Sequence, residues 1–186
     1  MLVAAVELMS REGSGGWTLR RLAERLGTSH RMVIYHFGSL EGLLVEVVNH
    51  VENDQKQRRE RLHQEHLDPR DGARALRDEL LDPRLASLER LFFELYAAGL
   101  QGHEYARPLL QSSVEGWLET IRSDFEAVTD DPAHAHADAR LGLAVIRGLL
   151  LDYLATGDRA GVVEAHERYL ALYEPLARPV VRDSEG

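Results

Sequence analysis

The stretch TLRRLAERLGTSHRMVIYHFGSLEGLL, residues 18–44, has the pattern of two short helices joined by a tight turn, with a third helix following. Its apolar residues recur every three or four positions from Leu19 to Leu26, as they do on one face of a helix. Gly27 can adopt the left-handed conformation that ends many helices, and Ser29 can cap the next one. This order predicts a helix-turn-helix, whose second helix enters the major groove of DNA.

The second helix of this motif is predicted to have an apolar side and a DNA-facing side. We expect Val33, Ile34 and Phe37 to face the core. Arg31 then faces outward, where its guanidinium can donate two hydrogen bonds to guanine, and Met32 can meet a thymine methyl group. Each of these side chains, taken singly, is also compatible with a solvated surface residue. The predicted DNA-binding residues are Thr18, Arg20, Ser29, His30, Arg31, Met32, Tyr35 and His36.

The same residues resemble the TetR family of bacterial transcriptional regulators. TLRRLAERLGTS followed by YHFGSLEGLL is similar to the family patterns T-x-R-x-(I/L)-A-x-x-x-G-(V/T)-S and H-F-x-(S/N)-K-E-x-L. The family usually has Tyr at Ile34 and Lys at Leu40, both of which commonly contact phosphate, and Tyr35 can replace the first. The resemblance implies a homodimer that binds a double-stranded DNA operator and is released from it by a small-molecule effector.

We therefore predict an all-α fold, with an N-terminal three-helix helix-turn-helix DNA-binding head and a C-terminal helical ligand-binding and dimerisation body. The head is placed at 1–45, the body at 46–179 and a tail at 180–186. Ser39 is expected to cap a fourth helix that continues through the polar run 53–66 as a solvated connector, and DPRDG, residues 68–72, is expected to interrupt the helices. The other predicted helices are 2–11, 73–81, 83–100, 107–128, 132–156 and 159–176.

Charge is distributed unevenly along the chain. The net charge is −9, but residues 1–40 hold five arginines and three glutamates, a local charge of +2. A positive head on an acidic body can still follow phosphate, because affinity depends on the charges at the interface. The chain has no cysteine, and its apolar first nine residues lack a basic leader. We expect a cytoplasmic protein with no membrane partner.

Aromatic side chains in the body are candidates for an effector site. Aromatic residues with polar tips often line ligand cavities, but at helical spacing they are more often plain core. Arg90, Glu94, Arg122 and Arg147 lie in otherwise apolar helices, where they either orient a ligand or face solvent. The predicted effector-binding residues are Phe92, Phe93, Tyr96, Trp117, Arg147 and Tyr153.

The segment 137–176 contains two apolar helices joined by a short turn. Apolar residues cover more of the first helix than packing against one domain normally requires. In TetR-like proteins the last two helices pair with their counterparts in a four-helix interface, which this segment resembles; burial within the monomer core is the alternative. The predicted dimer contacts are Leu141, Val145, Leu149, Tyr153, His166, Tyr169 and Tyr173.

Catalytic and metal motifs are weak in this sequence. The acidic and histidine residues between 130 and 138 have the composition of a metal site, but Pro132 divides them and the stretch has the pattern of a hydrophilic turn. We predict no cofactor, no metal and no enzymatic activity. The expected function is a sequence-specific DNA-binding transcriptional regulator, a repressor released by a small molecule. The alternative is a helical enzyme or adaptor with a vestigial DNA-binding head, and retardation of upstream DNA by the protein distinguishes the two.

Overall fold

The computed structural model describes residues 1–65, 68–126 and 132–172. Within these ranges the chain forms nine α-helices, one short 3-10 helix and no strand, so the predicted all-α fold is confirmed. The α-helices are α1 (Leu2–Glu12), α2 (Leu19–Leu26), α3 (His30–Phe37), α4 (Leu40–Glu65), α5 (Pro69–Leu80), α6 (Ala86–Leu100), α7 (Arg107–Glu126), α8 (Pro132–Thr156) and α9 (Arg159–Leu170); the 3-10 helix is Glu104–Ala106.

Local caps set the limits of the two helices in the helix-turn-helix. At the start of α2, Thr18 Oγ1 accepts a hydrogen bond from the backbone N–H of Arg21 at 3.1 Å. At the start of α3, Ser29 Oγ accepts one from the N–H of Met32 at 3.2 Å. Gly27 ends α2 in the left-handed conformation, with φ of 63°. These caps satisfy backbone groups that a helix end leaves without partners, which is why the short helices begin and end where the sequence predicts.

Two arginines of the head are engaged inside it. Glu12, at the end of α1, lies 2.9 Å from Arg21 and 2.5 Å from Arg25, measured between carboxylate oxygen and guanidinium nitrogen. Arg21 also lies over the Trp17 ring, 4.6 Å from its centroid. These contacts join α1 to α2. The net charge of the head therefore overstates the positive charge that is free to meet phosphate.

Helix α4 runs from the head into the body. Ser39 Oγ accepts a hydrogen bond from the N–H of Gly42 at 3.0 Å, in agreement with the predicted cap. The helix continues through the polar run, as expected, but the prediction that this run is solvated is only partly right, since Lys56, Glu60 and Arg61 are exposed while other positions are not. Gln55, Arg58 and Leu62 are buried, because this part of α4 packs against the body helices.

The interruption predicted at DPRDG, residues 68–72, extends too far along the chain, because α4 and α5 are separate helices but α5 already begins at Pro69. Asp68 is the N-cap of α5, and its Oδ1 accepts a hydrogen bond from the N–H of Arg70 at 2.8 Å. Pro69 is the first residue of that helix. Proline suits this position because a helix needs no N–H donor there and because its φ is already helical. The residues that suggested a loop are thus a helix start, and α6 begins three residues later than predicted.

Two apolar clusters form the core. The larger one joins α1, α2, α3, α4 and α6, so the predicted head and body share it and α4 crosses the predicted boundary at residue 45 without a break. Its fully buried side chains include Met9, Leu22, Val33, Val47 and Leu95. The smaller cluster joins α7 to α8 and contains Trp117, Leu118, Ala139 and Leu143.

Ion pairs attach α9 to α5. Buried Arg77 lies 2.5 Å from Glu167, and Arg74 lies 3.0 Å from the same carboxylate. Hydrogen bonds from Arg74 and Arg77 lower the pKa of Glu167 to about 2. His166 is buried beside Arg77, with 3.4 Å between its Nδ1 and Arg77 Nη1. Burial, followed by the charge of Arg77, lowers the pKa of His166 to about 4, so its ring is neutral at pH 7.

Candidate nucleic-acid interface and ligand site

The outer face of α3 is exposed along its whole length. Val33 is fully buried and anchors the helix, while Tyr35 is 80% exposed. The prediction that Ile34 faces the core is wrong, since its side chain is 42% exposed. Val33 and Phe37, four residues apart, lie on the inner side, and Ile34 is rotated about 100° from Val33. The predicted DNA-binding residues are all exposed: Thr18, Arg20, Ser29, His30, Arg31, Met32, Tyr35 and His36.

Arg31 is the guanidinium best placed to contact a base. It lies in the first turn of α3, and within the described residues no carboxylate lies within ion-pair distance of it. Arg20, in contrast, lies 3.5 Å from Glu24 one turn along α2. An unpaired guanidinium keeps its planar set of donors available for the two acceptors that guanine presents in the major groove.

The start of α2, the start of α3 and the end of α3 carry the predicted phosphate contacts. The hydroxyls of Thr18 and Ser29 accept bonds from their own helices, so these residues hold the helix N-termini in the conformation that favours an anion. Tyr35 and His36 lie together near the end of α3, with 5.5 Å between ring centroids. Leu40, where the related family usually has Lys, packs in part against the core.

In the body, an aromatic group surrounds one half-buried arginine. The Phe92 ring lies 5.3 Å from Phe93 and 5.8 Å from Tyr96, measured between centroids. The Arg147 guanidinium carbon lies 5.8 Å from the Phe92 centroid and 5.6 Å from that of Tyr96. Of the predicted effector residues, these four come together. Trp117 lies in the smaller cluster instead, and Tyr153 is half-buried on α8, about 9 Å farther along the helix axis than Arg147.

A cleft opens between α4, α5 and α7. Its volume is about 200 Å³, including the part open to solvent, which is below the usual size of a small-molecule pocket. Trp117 is the predicted effector residue that lines it. The remaining lining residues are Gln55, Arg58, Leu76, Glu79 and Leu80.

Comparison with known proteins agrees with this arrangement. Residues 1–47 match the family model described as bacterial regulatory proteins, tetR family. Over 76 residues the chain is 32% identical to the HTH-type transcriptional repressor NicS of Pseudomonas putida, a match that covers 41% of this chain and 36% of NicS. A crystal structure of a TetR-family transcriptional regulator from Rhodococcus sp. matches with a TM-score of 0.68 and 20% identity, covering 95% of this chain and 96% of that one. Residues 1–47 are thus similar to the N-terminal segment of TetR-family regulators, and the whole chain shares the fold of one.

A second solved structure shares the fold. It is the transcriptional regulator FadR from Bacillus subtilis in complex with stearoyl-CoA, with a TM-score of 0.70 and 15% identity. The match covers 92% of this chain and 95% of FadR. The likeness to the two crystal structures therefore extends over the body as well as the head, whereas the stretch matched in NicS spans only about a third of that protein.

Helix α8 has an exposed face of apolar and small residues. Leu141 is 49% exposed and Leu151 is 53% exposed. An added Cβ at Gly148 would meet no atom within 4 Å, so the surface there is open. The exposed positions alternate in steps of three and four residues, which is the spacing of a helix-pairing seam. They are Leu141, Ala144, Gly148, Leu151 and Ala155.

The other predicted dimer contacts lie in three different environments. Val145, Leu149 and Tyr153 are half-buried at the margins of the exposed face of α8. His166 is 3% exposed and already packs inside the chain, so we correct its assignment, because almost no surface is left for a partner. Tyr169 packs inside the chain too, since its hydroxyl would lie 3.0 Å from a Cβ added at Gly142. Tyr173 lies outside the described residues.

The four polar candidates for orienting a ligand do not share one environment. Arg90 and Arg122 are exposed, and Arg122 lies 3.7 Å from Glu126. Glu94 is also exposed, and its Oε2 accepts a hydrogen bond from the backbone N–H of Ser14 at 2.5 Å, which links α6 to the loop after α1. Arg147 alone points into the body.

Sequence reasoning missed a buried ionic contact between α4 and α6. Glu89 is fully buried, and its Oε1 lies 3.0 Å from Arg58 Nη1. Arg58 Nη2 lies 2.6 Å from Asp54, and Gln55 donates to Glu89 at 3.3 Å. Burial raises the pKa of Glu89. The sequence did contain a signal for the burial of Glu89, because this residue lies three positions from Phe92 and therefore on an apolar helix face.

Two further searches concern metal and membrane. Across residues 1–65, 68–126 and 132–172, no three histidine, aspartate or glutamate side chains are grouped so that they could hold a metal ion. In the same part of the chain, no helix is both long enough and apolar enough to cross a bilayer. Residues 130 and 131 of the acidic and histidine stretch lie outside the described ranges.

Proposed function

We propose that this chain is a cytoplasmic, sequence-specific DNA-binding transcriptional regulator that represses as a homodimer and is released from its operator by a small molecule. The observation that carries the proposal is the capped, fully exposed face of α3, with unpaired Arg31 in its first turn. This face lies in the segment that matches the TetR family model. NicS, which is similar to this chain over 76 residues, is a repressor, and that supports repression here.

The exposed face of α8 supports the homodimer. A single head offers one short helix to the major groove and few free cations, so specific binding is expected to need two heads. Two heads read half-sites about 34 Å apart, one turn of DNA, and a fixed helix pair sets that distance. The open Gly148 position would allow two copies of α8 to approach closely.

Contacts of α6 support regulation by a ligand. On one side, Phe92 and Tyr96 contact Arg147 of α8, where a ligand would bind. On the other side, Glu94 holds the loop that leads into the helix-turn-helix. A ligand that favours one position of α6 would shift the population between heads that fit DNA and heads that do not. The similarly folded FadR was crystallised with stearoyl-CoA, which supports a ligand site in this fold.

The proposal is tested by selecting duplexes from a random pool with the purified protein and measuring their binding by gel retardation at moderate salt. We expect a palindromic consensus with half-sites one turn apart. Recovery of random sequence, with equal affinity for all duplexes, would contradict a sequence-specific regulator and favour a head that no longer reads DNA.

Arg31→Ala should weaken binding to the selected duplex by about 1–3 kcal/mol and relax the preference at one base pair in each half-site, because the variant lacks the two donors to guanine. Arg11→Ala is the matched control, since it removes the same charge from the exposed end of α1. Fluorescence anisotropy with the selected and a scrambled duplex measures both effects. An equal loss on both duplexes would assign Arg31 to phosphate and not to a base.

A further inference from the structure

Arg147 is a cation half-buried in the body. Its side chain extends from α8 to α6 and α7, where it lies over the rings of Phe92 and Tyr96 and donates a hydrogen bond to the backbone carbonyl of Ser113. Burial lowers the pKa of Arg147, although an arginine still remains charged at pH 7. A guanidinium in this position costs free energy of desolvation unless an anion accompanies it.

No anion of the described residues accompanies it. Within the described residues, no carboxylate lies within ion-pair distance of Arg147. Two buried arginines differ in this respect, because Arg58 contacts Glu89 at 3.0 Å and Arg77 contacts Glu167 at 2.5 Å. Arg147 is thus a half-buried cation whose counter-ion the described chain does not supply.

The hydroxyl beside Arg147 is also unused. Ser113 is 3% exposed, and its Oγ has no hydrogen-bond partner among the residues that the structure describes, although buried hydroxyls are normally satisfied. Its own backbone carbonyl accepts the bond from Arg147, so the free hydroxyl and the guanidinium belong to one contact. A guanidinium and a hydroxyl donor are the groups that bind a carboxylate or a phosphate.

The surroundings of these two donors are apolar. The Phe92 ring lies on one side, and Trp117 lies one turn beyond Ser113 on α7, packed in the cluster that includes Leu143. Trp117 also lines the cleft that opens between α4, α5 and α7. An anionic group at Arg147 would therefore have the Phe92 and Tyr96 rings beside it, against which the apolar part of a ligand could pack.

We propose that Arg147 and Ser113 bind the anionic group of an amphipathic effector, a molecule with a carboxylate or phosphate head and a hydrocarbon body. The inference rests on the proposed function in that this molecule would be the effector that releases the operator. It names the ligand's chemistry, which the proposed function leaves open.

The test uses four probes that share a ten-carbon chain: decanoate, decyl phosphate, 1-decanol and decyltrimethylammonium. Each is titrated below its micelle concentration into the Trp17→Phe variant, in which Trp117 is the remaining tryptophan, and binding is followed by fluorescence and thermal unfolding. We expect the two anions to bind at least tenfold more tightly than the alcohol and the cation. The better of the two anions identifies the head group. Equal binding of anion and alcohol, or no binding of either anion, would overturn the proposal.

Two variants locate the site. Arg147→Met should abolish the preference for anions without lowering the melting temperature of the unliganded protein, because it removes an uncompensated half-buried charge. Ser113→Ala should weaken anion binding about fivefold. Arg122→Met, which removes an exposed cation from α7, should change neither property. If Arg147→Met lowers the unliganded melting temperature and keeps the anion preference, Arg147 is only a structural link between α7 and α8.

Operator release is measured separately, by adding each probe to the complex with the selected duplex. Anion binding that depends on Arg147 but leaves the complex intact would contradict release by an effector and leave the anion site standing. Release by 1-decanol as efficiently as by decanoate would support release by a small molecule and contradict the anion site. The two proposals therefore fail in distinguishable ways.

Discussion

A Leu151→Glu protein is expected to be a folded monomer that no longer retards its operator. Leu151 is 53% exposed on α8, so a glutamate there is solvated in the single chain and should leave its stability nearly unchanged. In a paired α8 seam the same carboxylate would be buried twice without a counter-ion. We expect association to weaken about a thousandfold or more, which corresponds to about 4 kcal/mol. Sedimentation and gel retardation measure the two losses.

Leu100→Glu provides the matched control for this change. Leu100 is 69% exposed at the end of α6, away from the exposed face of α8, so its substitution should leave both dimer and operator binding intact. A Leu151→Glu protein that remains dimeric would remove α8 from the interface. One that is monomeric yet still binds the operator tightly would contradict the requirement for two heads.

Arg58→Met is expected to lower the free energy of unfolding by about 3–5 kcal/mol at pH 7.5. The variant leaves Glu89 fully buried without its cation, and the remaining donor, Gln55 at 3.3 Å, is neutral. The loss should shrink as the pH is lowered. Burial places the pKa of Glu89 above its ordinary value of 4.5, so the folded state holds a proton that the unfolded state releases. The loss of stability in Arg58→Met is therefore absent below about pH 4.5, and it grows as the pH rises through the pKa of Glu89 in the folded state.

Urea unfolding at pH 5 and pH 7.5 tests this expectation. The double variant Arg58→Met/Glu89→Leu should recover most of the lost stability, because it removes both charges together. If Arg58→Met had the same stability as the parent protein at both pH values, Arg58 and Glu89 would not form an interior ion pair. If the double variant were no more stable than the single one, lost packing rather than an unpaired carboxylate would account for the effect.

The helix-turn-helix could be predicted from the sequence because its determinants are local. Thr18, Gly27 and Ser29 act within their own helix ends, and the structure has each of them in the predicted capping position. Ile34 shows the limit of such reasoning. In an eight-residue helix the apolar stripe is one turn wide, and an apolar residue beside it is exposed or buried according to the neighbouring helices, which periodicity alone does not specify.

The polar interior could not be predicted in the same way, because it depends on residues far apart in the chain. Arg58 lies in a charged run of α4, which is typical of a surface helix. Its contact with Glu89 of α6 becomes evident only when the two helices are packed together. The error at DPRDG has a different cause, since Asp followed by Pro is both a turn signal and a helix start. Whether Asp-Pro forms a turn or starts a helix depends on how far the neighbouring helices extend, and their length is set by packing.

The contacts of α6 connect the ligand region and the head through a single helix. Phe92 and Glu94 lie on opposite sides of it, the first against Arg147 and the second on the loop after α1. If α6 rotated by about 20° around its own axis, the two side chains, each about 5 Å from that axis, would move by about 2 Å in opposite directions. A movement of this size is enough to break the hydrogen bond to Ser14. A substitution in α6 should therefore be pleiotropic. Ligand preference and DNA affinity would change together, and natural selection could not adjust one on this helix without altering the other.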